Sequence, residues 1–147
     1  MAKQSRDYTY DHAMLMKDAG LVAADAAATV AAAARILDLG LARFDGVLVV
    51  TITAVEIASN DERYDIGIQL SNSASFASVI AQGPILAVGA LETLIGADQD
   101  TAVGTYELPF CNEINGVLFR YARVYTNVTG TIATGINFSA FVATVSV

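Results

Sequence analysis

The run Val47-Leu-Val-Val50-Thr-Ile-Thr-Ala-Val55-Glu-Ile57 leaves the chain the fewest choices. It is dense in β-branched residues, which lose rotamer freedom in a helix and pack well on a pleated surface. It is apolar on both parities through Ile52, so it reads as a central strand covered on both sides. Ser59-Asn-Asp-Glu-Arg63 then supplies a turn. Beyond it Tyr64, Ile66, Ile68 and Leu70 alternate with Asp65 and Gln69, the period-two pattern of a strand with one buried face.

The last third repeats these signals. Val117 to Tyr125 reads as one strand, Thr126 to Gly130 as a turn, and Thr131 to Val147 as a long final strand or hairpin. In that final stretch Ile132, Ile136, Phe138, Ala140 and Val142 share one parity, while Phe141, Val145 and Val147 fall on the other. A bulge, or burial on both faces, accounts for the change. Between these regions, Ser71 to Ser78 is a polar loop around Phe76. Val79 to Ile95 carries Gly83-Pro84 and Gly89 and suits short strands or bends. Thr105 to Phe110 is a short extended stretch whose Pro109 confines it to an edge or an end. Strands at irregular spacing, without a βαβ rhythm, predict an all-β sandwich or barrel.

The alanine-rich stretch 21–37 is the ambiguous one. Alanine has the best helix propensity, which favours a helix closed by Gly40. An alanine surface buries little area, however, and the stretch lacks a polar face. Before it, residues 1–12 read as an N-terminal arm ahead of a single domain over 13–147. Its Lys3, Arg6, Tyr8 and Tyr10 are candidate contacts to a partner, because Tyr and Arg are the side chains enriched at interface cores. A frayed terminus is the plain alternative.

Composition narrows the function. Hydrophobic residues make up 54% of the 147 and charged ones 16%, against about 25% charged in an average soluble domain. A small domain this poor in charge is expected to expose apolar surface and to cover it with other chains, as a homodimer or homotrimer or in a lattice. The net charge of −7, with the eight basic residues scattered, argues against nucleic acid and anionic membrane as partners. One cysteine, Cys111, allows no internal disulfide. The start of the chain does not have the form of a signal peptide, and the apolar run 19–34 is too short to span a bilayer, so a soluble protein made inside the cell is expected.

No residues assemble into a recognisable active site, and neither a cofactor nor a metal is expected. His12, the single histidine, sits in the arm without supporting ligands. Cys111 is followed by Asn112-Glu113, an acidic setting for a thiol that would need a base, and reads as a small packed side chain. Asn60-Asp-Glu62 with Asp65, and Asp98-Gln-Asp100, lack the spacing of a calcium loop and read as solvated turns. Asn127-Val-Thr129 has the form of a glycosylation acceptor but reads as part of a turn.

Several short motifs, in order, resemble a known family. Lys17-Asp-Ala-Gly20 is similar to its opening Ser-Asp-Ala-Gln. Arg35-Ile-Leu-Asp38-Leu-Gly40 resembles its Val-Ile-Asp-Leu-Gly, followed by a glycine (Gly46) and a Val/Ile-rich strand. Arg120-Tyr121-Ala-Arg123-Val resembles Arg-Tyr-Leu-Arg-Leu, and Val128-Thr-Gly-Thr131 with Thr134-Gly135 resembles its closing turns. The family is that of the cement, or decoration, proteins of short-tailed phage heads, of the Bordetella phage type. The resemblance runs from about Met14 to the C-terminus. It implies a jelly-roll-like antiparallel β-sandwich on the outer surface of the virion, tying neighbouring major capsid proteins together. It also implies that the segment before Asp38 is extended. The longer spacer Ala23 to Ala34 and the charged arm depart from the pattern.

These lines converge on a non-enzymatic structural virion protein, a capsid cement protein that binds the major capsid protein and itself. The alternatives are a carbohydrate- or receptor-binding β-module, which the absence of Trp disfavours, or another virion part such as a head-tail adaptor.

Overall fold

The computed structural model describes residues 11–90 and 100–144. Asp11 caps a single 3-10 turn, His12–Met14, by accepting from the Ala13 amide at 2.9 Å. The turn leads directly into the first strand, which begins at Leu15.

Two antiparallel sheets carry the chain. The first contains β1 (Leu15–Lys17), β2 (Leu21–Val22), β7 (Asp45–Val55), β10 (Gly104–Cys111) and β14 (Ile136–Thr144), in the order β1-β14-β7-β10 with β2 beside β1 on β14. The second contains β3 (Ala26–Ala27), β6 (Leu37–Asp38), β8 (Arg63–Ser71), β9 (Ala81–Gly89) and β13 (Tyr121–Thr129), in the order β3-β13-β8-β9 with β6 also on β13. Their inner faces meet in one core, an all-β sandwich. From the first sheet come Leu48, Val50, Ile52, Phe138, Ala140 and Val142; from the second come Tyr64, Ile66, Ile68, Leu70, Ala122 and Val124.

The alternation across β8 holds: Tyr64, Ile66, Ile68 and Leu70 are fully buried, each contributing about 1.5–3 kcal/mol. The Tyr64 hydroxyl donates to the Glu56 carbonyl at 3.2 Å, and burial pushes its pKa up to about 12. The run at Val47 is central, between β14 and β10, and Val47 and Val49 are buried on its other face with Ala143 and Phe141. Of the two explanations of the parity change, burial on both faces is the one that applies. Ile136, Phe138, Ala140 and Val142 keep a single inward parity, while Ala143 and Phe141 pack with Val47 and Val49 on the other face; Val145 and Val147 lie outside the described residues. A bulge is present, but in the partner strand: Ile136 pairs with Val55 and Phe138 with Ile52, so Thr53 of β7 is the extra residue and the alternation of β14 passes it unbroken. Pro109 lies on β10, the outermost strand of its sheet on that side, a position that tolerates a missing N–H.

Four expectations are corrected. Val117 to Tyr125 is not one strand. Asn115 and Gly116, at φ 51° and 77°, turn β11 (Glu113–Ile114) back onto β12 (Val117–Leu118), and the sheet strand starts afresh at Tyr121. An Asn-Gly pair is the preferred filling of that two-residue turn. The segment 126–130 does not turn: β13 continues to Thr129, carrying Asn127 with it, and the turn comes at 130–135. The final strand therefore begins at Ile136, not Thr131. Finally, Gly83-Pro84 does not end a strand but forms a bulge in β9, with Gly67 opposite Ile85 and Gln69 opposite Gln82.

The alanine-rich stretch is extended, as the resemblance implies, but in fragments. β2 lies on the first sheet and β3 on the second, so the chain crosses between sheets within residues 22–26. Then β4 (Thr29–Val30) and β5 (Ala33–Ala34) make a small hairpin before β6 rejoins β13. Pairing with strands already in place offsets the helix propensity of alanine.

Candidate functional site

Two motifs far apart in sequence meet on β13. Leu37–Asp38 pairs with Tyr121–Ala122, and the Leu39 amide donates to the Arg120 carbonyl at 2.7 Å. The Asp38 carboxylate accepts from Arg120 Nε at 3.0 Å and Nη2 at 2.8 Å. This fork, with the Gly40 amide at 2.9 Å, holds the Asp38 pKa down to about 2. The pair is exposed and solvent screens it, so its value is directional: it fixes the guanidinium rather than adding much stability.

From Arg120 the outward-facing side chains of β13 run Tyr121, Arg123, Tyr125. They alternate with Ala122, Val124 and Thr126, which are buried. Arg120 lies over the Tyr121 ring at 5.2 Å. Arg123 lies 4.5 Å from the Phe76 ring centre and 5.4 Å from that of Tyr125, and its Nε donates to Gln69 Oε1 at 2.9 Å. Phe76 reaches this place at a cost, because its backbone is left-handed, φ 54°, which is uncommon for a bulky residue. Serines hold the loop: the Phe76 amide donates to the Ser73 carbonyl, the Ser73 amide to Ser71 Oγ, and Ser71 Oγ to the Ser78 carbonyl. The result is a fixed guanidinium with aromatic rings beside it on an outward sheet face.

A second group of side chains closes a loop junction. Glu56 accepts from the amides of Ala133, Thr134 and Gly135 at 2.6 to 3.0 Å and from the Thr134 hydroxyl at 3.2 Å. These bonds, led by the Gly135 amide, hold its pKa down to about 2. Asp61 accepts from the Thr131 amide and hydroxyl, at 2.9 and 2.8 Å, which lowers its pKa as well. The Thr-Gly elements of the resemblance thus have a local role in holding 131–135 against 56–62.

Two open grooves flank these features. One, of ≈ 470 Å³, runs beside the alanine-rich crossover with Lys17, Asp18, Asp25 and Thr126 in its lining; the other, of ≈ 420 Å³, lies between Leu21, Ala54, Ile57 and Thr134. In the first, the Lys17 ammonium is already engaged by the carbonyls of Asp18, Gly20 and Phe138.

Of the residues singled out in the sequence, Lys3, Arg6, Tyr8 and Tyr10 lie outside the described residues. His12 is exposed in the 3-10 turn. Cys111 is half-buried and free, its thiol 3.4 Å from the Glu113 carbonyl. Among the described residues, no three His, Cys, Asp or Glu side chains cluster as a metal site would require, and no helix is long and apolar enough to cross a membrane. The Tyr121–Arg123–Tyr125 row escaped sequence reading as a site. Its signal was present as alternation in Tyr121-Ala-Arg-Val-Tyr125, but Phe76 and Gln69 join it only through folding. No family model matches the chain, and no curated protein matches it.

Proposed function

We propose that the chain is a structural, non-enzymatic virion protein that binds the outside of an icosahedral head and ties neighbouring major capsid proteins together. The observation that carries this reading is the meeting of the Arg35–Gly40 and Arg120–Val124 motifs on β13. Two stretches picked out separately by their resemblance to phage cement proteins form one paired unit, with Asp38 and Arg120 as its clasp. The strand order supports the jelly-roll form of that fold. Successive strand positions alternate between the sheets β1-β14-β7-β10 and β3-β13-β8-β9, except for the direct step from β8 to β9. The surface supports a role in contacts with other chains: Leu21, Leu41, Val79 and Val103 are exposed, and the outward face of β13 bears Tyr and Arg.

In this reading the β-sandwich docks on the shell. The arm, through Lys3, Arg6, Tyr8 and Tyr10, latches onto a neighbouring subunit, and many weak attachments add up across a symmetric lattice. Self-association as a dimer or trimer uses the exposed apolar residues. The test is the composition and strength of purified particles. Hundreds of copies per particle, co-purifying with a major capsid protein, support the reading, as does earlier thermal disruption of shells lacking the chain. About a dozen copies would place it at the neck instead. Absence from particles, together with binding of the isolated protein to a glycan array, would replace it with the carbohydrate-binding reading.

A further inference from the structure

The described basic side chains are almost all committed within the chain. Lys17 donates to three carbonyls, and Arg35 to those of Leu15 and Ala13. Arg43 is paired with Asp45 and Glu113, Arg63 with Asp65, and Arg120 with Asp38, all at 3.2 Å or less. Arg123 stands apart. Among the described residues no carboxylate pairs with it, and its one hydrogen bond, through Nε, goes to a neutral amide oxygen on Gln69.

Arg35 also lacks a carboxylate among the described residues, but its Nε and Nη2 are both taken by carbonyls. In a chain of net charge −7, a guanidinium with neither a counterion nor, among the described residues, a partner for its Nη groups needs a reason. A flexible surface arginine would need none, but this one is held. Phe76 adopts a left-handed backbone conformation, braced by Ser71 and Ser73, and its ring, 6% exposed as a residue, lies against the guanidinium. Tyr125 flanks it on the same strand. Fixing the side chain in advance lowers the entropic cost of using its Nη donors, and the aromatic neighbours reduce competition from water.

We infer that Arg123 is the anchor of a docking face on the second sheet, and that it receives an Asp or Glu side chain of the capsid protein that the chain decorates. The inference rests on the decoration reading and specifies the chemistry of its contact. The Nη atoms form a planar donor pair that matches a carboxylate. Tyr121 and Tyr125 share its face of β13, and a tyrosine can offer a partner both an apolar ring and a hydroxyl that hydrogen-bonds. Charge selects a carboxylate over a phosphate backbone. One free guanidinium on an acidic chain suffices for a single carboxylate, whereas a polyanion would be repelled by the rest of the surface. Exclusion of water by the rings makes this contact matter more than a rim pair.

The test uses the full-length chain and shells from which it has been stripped. Wild-type chain is expected to rebind, more weakly as salt rises. Arg123→Gln is expected to lower the affinity about tenfold or more. Arg63→Gln, which alters a cation already paired with Asp65, is expected to leave binding unchanged. Thermal unfolding of each variant checks that the sandwich is intact. Arg123→Lys places a primary amine at the contact, and a carbodiimide should then couple it to the facing carboxylate as an amide. Mass spectrometry identifies the residue joined. A cross-link to an Asp or Glu of the shell protein, with loss of binding confined to Arg123→Gln, supports the inference. Wild-type rebinding that Arg123→Gln leaves untouched overturns it while leaving decoration standing, and so do cross-links formed only between copies of this chain. A wild-type chain that does not bind shells overturns both.

Discussion

The Lys17 ammonium lies 4.6 Å from the centre of the Phe138 ring and donates to the Phe138 carbonyl at 2.9 Å. Its other donors go to the carbonyls of Asp18 and Gly20, at 2.9 and 3.0 Å. The chain between β1 and β2 is thereby tied to β14, so that both short strands can pair with it. Lys17 is 6% exposed. Burial lowers its pKa from the usual lysine value, partly countered by the Asp18 charge, yet the ring and the three carbonyls remain its compensation. Lys17→Met keeps the apolar stem and removes the donors. The expected loss is about 2–4 kcal/mol, the cost of leaving the buried Phe138 carbonyl and two part-buried ones without this donor. Urea unfolding measures it, and a loss under about 0.5 kcal/mol would mean that water reaches those oxygens.

Among the described residues the same two-residue turn occurs twice, with opposite chemistry. Asn115-Gly116 fills one with favourable residues, whereas Ala31-Ala32, at φ 50° and 61°, fills the other with residues that resist positive φ. Each left-handed alanine costs about 1–2 kcal/mol. The Ala31 amide donates to Asp18 Oδ2 at 2.7 Å, which helps to hold the turn. Replacing the pair, Ala31→Asn with Ala32→Gly, should stabilise the protein by about 1–2 kcal/mol after the entropy of the added glycine is deducted. The reverse exchange, Asn115→Ala with Gly116→Ala, should destabilise by a similar amount. Denaturation midpoints of the two double variants, moving in opposite directions, check the pair together.

What was legible in the sequence is what a single strand decides for itself. Tyr64 to Leu70 states its buried face in its own alternation, and Val47 to Ile52 its central place by being apolar on both parities. The turn at Asn115-Gly116 was also written locally, yet it lies in a region whose apolar density favours one long strand. The alanine stretch was legible only through resemblance, because each of its strands is two residues long and they are divided among β14, β13 and a hairpin of their own. Phe76, Gln69 and Arg123 come from three places in the chain. No spacing rule joins them, because folding alone supplies the register of Gln69 with Arg123.

Gly130 and Gly135 should be intolerant of any side chain. At Gly130, φ 102°, a Cβ would lie 2.2 Å from the Asp61 carbonyl oxygen; at Gly135, φ 95°, it would lie 2.1 Å from that of Val22. Both obstacles are backbone, so neither can swing aside. Gly130→Ala and Gly135→Ala are each expected to cost more than about 2 kcal/mol, through strain at positive φ and displacement of the loop. Gly40, φ 84°, has open space where its Cβ would lie. Gly40→Ala should therefore cost only about 1 kcal/mol, from backbone strain alone. Thermal unfolding of the three variants side by side tests the ranking.

Glu56 makes the loop junction sensitive to acid. In the unfolded chain its carboxyl takes a proton near the ordinary value of 4.5, whereas in the folded protein the amides of Ala133, Thr134 and Gly135 keep it ionised down to about 2. Between those values the unfolded state binds more protons, so stability falls as the pH falls. The contribution of Glu56 is fully present above about pH 4.5 and lost as the folded pKa is passed. Asp38, held down to about 2 by Arg120 and the Gly40 amide, acts in the same direction. Glu56→Gln offers the amides a neutral oxygen at every pH. The variant should therefore be less stable than wild type at pH 7, with the gap closing as the pH drops from about 4.5 towards 2. Urea midpoints of both proteins across that range measure the gap. A gap that stays constant with pH would mean that the Glu56 charge contributes nothing and that the loop is held by shape alone.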